Sequence, residues 1–363
     1  MADKIYNFGA GPAMLPEPVM QQIQQEWLDF QGMGISIIEL SHRSKEFVAV
    51  LDEAQSLFRE LTELPDNYRI LFVHGGARMQ FSALPLNFSG RMPSRKCLYV
   101  ESGNFASLAA KEAQAFCHME TIASSAATDY DCIPELTSDQ IDQGAAYLHI
   151  TSNNTLYGTR WNQFPETGDV PLIADMTSEL LSRQINYSQF GVIYAGLQKN
   201  LGPSGMAMVI VRDDLLGYAD KQTPTLLNYT QCDKDNSLTN TTSTFAVYVI
   251  KLVLGWLKEQ GGVAAVEKLN EQKAARLYQV IDNSSFYRGV AQPEYRSIMN
   301  ISFKLANDEL DARFLQEADD VGLYALKGHR NVGGIRASIY NPMPLVGVEK
   351  LARFMEEFEQ KNG

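Results

Sequence analysis

Six short apolar runs punctuate the first two thirds of the chain: ILFV (70–73), CLYV (97–100), AAYLHI (145–150), VPLIAD (170–175), GVIYAG (191–196) and MAMVIV (206–211). None alternates cleanly between apolar and polar positions. Runs of this length predict strands buried on both faces, as in a sheet covered by helices. Between them lie stretches with helical spacing. In SKEFVAVLDEAQSLFRELTEL (44–64), Phe47, Val50, Leu51, Ala54, Leu57, Phe58 and Leu61 fall on one face, and Ser44 stands where an N-cap belongs. A second helix is predicted over roughly 105–116. This alternation is that of an α/β domain with a mostly parallel sheet.

Past about residue 245 the pattern changes. Two long helices are predicted at 245–260 and 263–281, parted by Gly261 and Gly262. A strand at 296–305, a helix near 308–321, a strand at 333–340 and a last helix from about 347 complete a compact α+β unit. The division expected is a large domain over 16–260 and a smaller one built from 1–15 and 261–363.

Composition alters this picture in few places. Apolar residues make up 45% of the 363 and charged residues 20%, ordinary values for a soluble globular chain. With 43 acidic against 31 basic residues the net charge is −12, which argues against nucleic acid or an anionic membrane as partner. Cys97, Cys117, Cys132 and Cys232 stand far apart, without the spacing of a disulfide framework or a zinc site, so no metal is expected. The opening MADKIYNFGAGPAML lacks the apolar stretch of a secretory signal, and no run is long enough to cross a bilayer. A reducing, cytoplasmic location is the expectation.

The candidate chemistry sits at strand ends. VPLIAD ends in Asp175, at the edge where open α/β sheets bind ligands, although an Asp there also suits the cap of a following helix. GVIYAG leads to Lys199 and then to the Gly/Pro loop NLGPSG, whose Gly202 and Gly205 permit close backbone approach. A lysine there is ordinarily a solvated surface residue, yet small and apolar residues precede it. Schiff-base chemistry needs this pair: an amine that loses its proton readily, and a carboxylate that keeps a pyridine nitrogen protonated. In FVHGGARMQFSAL (72–84), Gly75 and Gly76 open a helix whose free N–H groups can seat a phosphate. Phe105 opens another helix after a strand and can stack on a planar ring or simply fill the core. His42–Arg43, Arg78, His329–Arg330 and Arg336 lie beside turns and helix starts, and arginine forks suit carboxylate and phosphate.

These residues resemble a known family. NFGAGPAMLPEPV (7–19), SHRSKEF, HGGARMQF, ADMTSELLSR, YAGLQKNLGPSG, TNTTSTFAVY (239–248) and GHRNVGGIRASIYN (328–341) follow the order and spacing of the phosphoserine aminotransferases, class V enzymes of fold type I that use pyridoxal 5'-phosphate. The resemblance spans nearly the whole length. It implies a large domain with a mainly parallel seven-stranded sheet, a small C-terminal α/β domain, and a homodimer with shared active sites. It further implies that Lys199 is the Schiff-base lysine and proton shuttle, that Asp175 pairs with the pyridine nitrogen, and that Thr155 contacts the ring hydroxyl. By the same resemblance Ala77, Arg78 and Gln198 bind the cofactor phosphate, and Asn240 and Thr241 reach it from the second subunit. Phe105 stands where some members carry a stacking tryptophan. Arg336 is expected to clamp the substrate α-carboxylate. His42, Arg43, Arg78, His329 and Arg330 are expected to hold the phosphate of phosphoserine or the side-chain carboxylate of glutamate. The implied role lies in serine biosynthesis, with a four-carbon phosphorylated keto acid of pyridoxine biosynthesis as a second substrate. A cysteine desulfurase is a weaker match, since Cys232 lacks the setting of a mobile nucleophile, and a dinucleotide fold lacks its G-x-G-x-x-G.

Overall fold

The computed structural model describes residues 4–363. Its largest sheet has seven strands, in the order Tyr68–His74, Met206–Arg212, Val192–Gly196, Leu172–Asp175, Tyr147–Thr151, Lys96–Glu101, His118–Ser124. Met206–Arg212 runs antiparallel to both of its neighbours, and the remaining pairs are parallel. The predicted apolar runs form six of the seven strands. The seventh, His118–Ser124, is an exposed and mostly polar edge, so it carries no apolar run to mark it.

Side chains of the sheet alternate between two cores, which explains why the runs are continuously apolar. Phe72, Leu98, Leu148, Ala174, Ile193 and Met208 point to one face, where the helices Lys45–Thr62 and Thr244–Glu259 pack. Val73, Tyr99, Tyr147, Tyr194 and Val209 point to the other, beneath Gly76–Phe88 and Asn104–Ala113. Lys45–Thr62 starts as its sequence predicts: the Ser44 hydroxyl accepts from the Phe47 amide at 3.2 Å. Its inner face buries Phe47, Val50, Leu51, Ala54 and Phe58, each contributing roughly 1 to 3 kcal/mol by its size. Two sequence expectations shift. The stretch after Asp175 forms turns instead of a helix, and Cys232 lies buried in the short helix Tyr229–Lys234 instead of a polar loop.

A further core gathers Tyr6 and Phe8 with side chains from Ala274 to Phe358. Here the strands Arg288–Gly289, Asn300–Lys304 and Ile335–Ser338 form an antiparallel sheet, packed by Gly262–Asp282 and Leu345–Asn362. The strand Asn300–Lys304 is shorter than the apolar pattern suggests, because residues 296–299 turn across toward Gly158. Gly262–Asp282 belongs to both cores, with Val263 and Val266 in the first and Leu277 and Val280 in this one.

The two cores meet along a seam of buried amides. Asn200, directly after Lys199, donates to the Leu180 carbonyl at 3.1 Å and accepts from the Asn341 amide at 3.0 Å. Asn341 donates in turn to the Leu181 carbonyl, and Asn270 donates to Asn341 and to the Ser182 carbonyl. Lys273, fully buried, donates to the carbonyls of Ile339, Tyr340 and Met343 at 2.9 to 3.1 Å. Among the described residues no helix is long and apolar enough to cross a membrane.

Candidate active site

At the C-terminal ends of the parallel strands lies a cavity of about 530 Å³. Lys199, Asp175, Ala77, Arg78, Phe105, Thr155, Gln198, His329 and Arg336 all line it. Lys199 enters from the turn after Val192–Gly196 and is only 6% exposed. Its Nζ donates to the Thr155 hydroxyl at 2.6 Å and lies 5.8 Å from the centre of the Phe105 ring. Burial lowers its pKa to about 7; the Asp175 charge opposes that fall and the Arg336 charge adds to it.

Asp175 ends its strand buried beside this amine. One carboxylate oxygen accepts from the Thr177 amide at 2.9 Å and from the Thr177 hydroxyl at 2.6 Å. Burial pushes the carboxyl upward, and Thr177 and Lys199 hold it down. Asp175 therefore serves a local turn, not a helix cap.

The glycine turn forms a cradle at the mouth of the helix Gly76–Phe88. Gly75 and Gly76 adopt φ of 85° and 64°, conformations that favour glycine, and a β-carbon on Gly75 would fall 2.6 Å from the Met79 methyl. No side chain caps this helix start, so its first N–H groups remain available to an anion. A β-carbon on Gly196 would sit 2.5 Å from the Gln198 side-chain oxygen and 3.3 Å from the Ala77 amide, which places both groups on the same cradle.

Arg336 projects from the strand Ile335–Ser338 across the seam. Its Nε is buried without a hydrogen-bond partner, no carboxylate pairs with it, and burial lowers its pKa. Such a guanidinium is poised for an incoming anion. His329 stands on the loop that precedes this strand. Burial and the charges of Arg336 and Arg330 depress its pKa, and Asn331 ties the loop to Asn104 at 3.1 Å, next to Phe105.

Five expected residues do not line the cavity of this chain: His42, Arg43, Arg330, Asn240 and Thr241. Arg43, Arg330, Asn240 and Thr241 are exposed, and the His42 Nε2 is buried without a partner. Arg43 lies within electrostatic reach of Asp235, on the segment that leads to Asn240. The cavity also takes in Ala10, Gly11, Asn153, Thr177, Ser178 and Ser204, for which sequence reasoning gave no role. Thr177 was legible in principle, since Asp-x-Thr after a strand is a common side-chain turn.

The residues present fit pyridoxal phosphate. An uncapped helix start suits the phosphate, a buried amine of low pKa suits the aldehyde, a buried carboxylate suits the pyridine nitrogen, and an unpaired arginine suits a substrate carboxylate. Fold and site together define a pyridoxal-phosphate-dependent aminotransferase of fold type I. The comparisons agree: the class-V aminotransferase family model matches residues 5–351. The phosphoserine aminotransferase of Lysinibacillus sphaericus is 50% identical over 363 residues, covering 100% of both chains. The solved phosphoserine aminotransferase from Bacillus circulans subsp. alkalophilus superposes with a TM-score of 0.96 at 45% identity, over 100% of each chain. A pyridoxal-phosphate-bound phosphoserine aminotransferase from Trichomonas vaginalis superposes with a TM-score of 0.92 at 35% identity, over 97% of this chain and 100% of that one. The chain belongs to the phosphoserine aminotransferases of class V.

Proposed function

We propose that the protein transfers the amino group of L-glutamate to 3-phosphohydroxypyruvate, giving O-phospho-L-serine and 2-oxoglutarate for serine biosynthesis. The observation that carries this reading is the Lys199 amine, buried between the Asp175 carboxylate and the unpaired Arg336. Pyridoxal phosphate, when bound, supplies an aldehyde for amino groups and a ring that accepts electrons. Asp175 keeps the ring nitrogen protonated. Gly75, Gly76, Ala77, Arg78 and Gln198 receive the cofactor phosphate, Phe105 covers the ring, and Thr155 meets its hydroxyl. Lys199, once free, carries the proton between substrate Cα and the cofactor carbon. Arg336 binds the α-carboxylate common to every substrate, and His329 with Arg330 receives the distal phosphate or carboxylate.

The remaining residues complete the site from a second copy of the chain. His42, Arg43, Asn240 and Thr241 lie outside the cavity of their own chain, and Trp27, Leu28, Met33, Ile35, Ile38 and Met79 leave large apolar side chains exposed. A homodimer with shared active sites accounts for both. The same site accommodates the four-carbon homologue 3-hydroxy-2-oxo-4-phosphooxybutanoate of pyridoxine biosynthesis, and the place of work is the cytoplasm.

Coupled assays with glutamate as donor and each phosphorylated keto acid as acceptor test the reading. Purified protein is expected to be yellow, to lose that colour on borohydride reduction, and to turn over 3-phosphohydroxypyruvate. A colourless active protein, or one inactive with both acceptors, overturns it.

A further inference from the structure

Asp175 belongs to a buried polar row that continues past the cavity. Thr151, Asp175 and Tyr194 are cross-strand partners on three adjacent strands, so their side chains emerge on one face of the sheet. His149, two residues before Thr151, emerges on the same face beside its own cross-strand partner Tyr99. His149 and Tyr194 are fully buried, and neither lines the cavity. The Tyr194 hydroxyl hydrogen-bonds the Asp175 carboxylate and lies 2.9 Å from His149 Nε2. The imidazole stacks on Tyr99 at 4.9 Å and 26°, and its Nδ1 has no partner.

Donor counting orients this chain. A carboxylate only accepts, so the single Tyr194 proton points to Asp175. The Tyr194 oxygen then accepts from His149, which must carry its proton on Nε2. That tautomer leaves a bare lone pair at the unpartnered Nδ1, a smaller cost than an orphaned N–H. Burial lowers the imidazole pKa to about 3, which keeps the ring neutral and the proton order fixed. Linked donors strengthen one another where the surroundings are apolar.

We infer that Tyr194 and His149 are positioning residues for the proposed reaction, holding Asp175 as the anion that keeps a bound pyridine nitrogen protonated. This rests on the reading above that pyridoxal phosphate occupies the cavity with its ring nitrogen at Asp175. Thr177 places both of its hydrogen bonds on one oxygen, Oδ1, and burial favours the neutral acid. Without the Tyr194 donor, the proton shared between ring and carboxyl moves toward Asp175, and the ring loses its power to accept electrons.

The test reads that proton directly. Holoprotein is prepared with pyridoxal phosphate labelled with nitrogen-15 in the ring, and the ring resonance is recorded for wild type, Tyr194→Phe, His149→Leu and His149→Gln. Wild type is expected to show a protonated ring. Tyr194→Phe and His149→Leu are expected to move the resonance toward unprotonated pyridine and to lower kcat roughly tenfold or more, the worth of a hydrogen bond to a charged group. His149→Gln, whose amide N–H can stand in for Nε2–H, is expected to stay near wild type. An unmoved resonance in Tyr194→Phe and His149→Leu overturns the inference, as does equal loss in His149→Leu and His149→Gln, which marks a packing role. If Tyr194→Phe does not fold, the two His149 variants decide. Wild-type protein that takes up no labelled cofactor instead overturns the functional reading itself.

Discussion

The Lys199 amine donates a 2.6 Å hydrogen bond to the Thr155 hydroxyl, while the charges of Asp175 and Arg336 pull its pKa in opposite directions. Which of its two protonation states dominates near neutrality is therefore set by burial, the largest influence on it.

That setting gives a pH dependence with a definite sign. In the cofactor-free protein the amine titrates near 7 instead of at its ordinary 10.5, so the neutral nucleophile accumulates as pH rises through about 7. Attachment of pyridoxal phosphate, followed by absorbance, is expected to quicken through that range and then level off. Because the folded pKa lies below the unfolded one, this lysine also makes folding more favourable as pH climbs from about 7 toward 10.5. Asp175→Asn removes the charge that raises the amine's pKa and is expected to move the attachment profile to lower pH. A rate that keeps climbing to 10.5 in the parent protein contradicts the assignment.

Arg336→Ala is expected to weaken every substrate, since each carries an α-carboxylate and the guanidinium has no carboxylate of its own to lose. The loss of such a contact typically costs about 2 to 5 kcal/mol. Arg330→Ala is expected to impair phosphoserine and glutamate but to spare a slow half-reaction with alanine, which has no distal anion. Steady-state kinetics with the three amino donors separate the two arginines, and equal losses for all three in Arg330→Ala would give that residue to the fold.

Much of this was written in the chain. Six of the seven strands of the large sheet announce themselves because both faces are buried, and the Ser44 cap lies one residue before its helix. The edge strand His118–Ser124 stays silent because solvent lies against it. Lys199, Asp175 and the Gly75–Gly76 turn stand out because strand ends and glycine turns leave local marks. Thr177 and the His149–Tyr194 pair do not, since their roles arise from sheet register between segments far apart in sequence. His42, Arg43, Asn240 and Thr241 were singled out by resemblance, and nothing in the local pattern of one chain says what they face.

Those four residues supply the last prediction. Lys199→Ala and an Asn240→Ala, Thr241→Ala double variant are each expected to be nearly inactive as homodimers. Unfolding and refolding a mixture of the two chains is expected to restore activity, because a mixed dimer contains one site with an intact lysine and an intact pair. A mixture no more active than its components would assign Asn240 and Thr241 to their own chain.

The amide seam has a consequence for how specificity can evolve. Asn200 and Asn341 hydrogen-bond directly, and each is fastened to the 180–181 backbone, so the reactive amine and the Arg336 strand ride on one block. The span between the bond-making centre and the anchor for the α-carboxylate is thus not free to stretch with substrate length. A longer substrate has to find its extra room at the far end, among His329, Arg330 and whatever a neighbouring subunit brings, and drift in chain-length preference should be sought there.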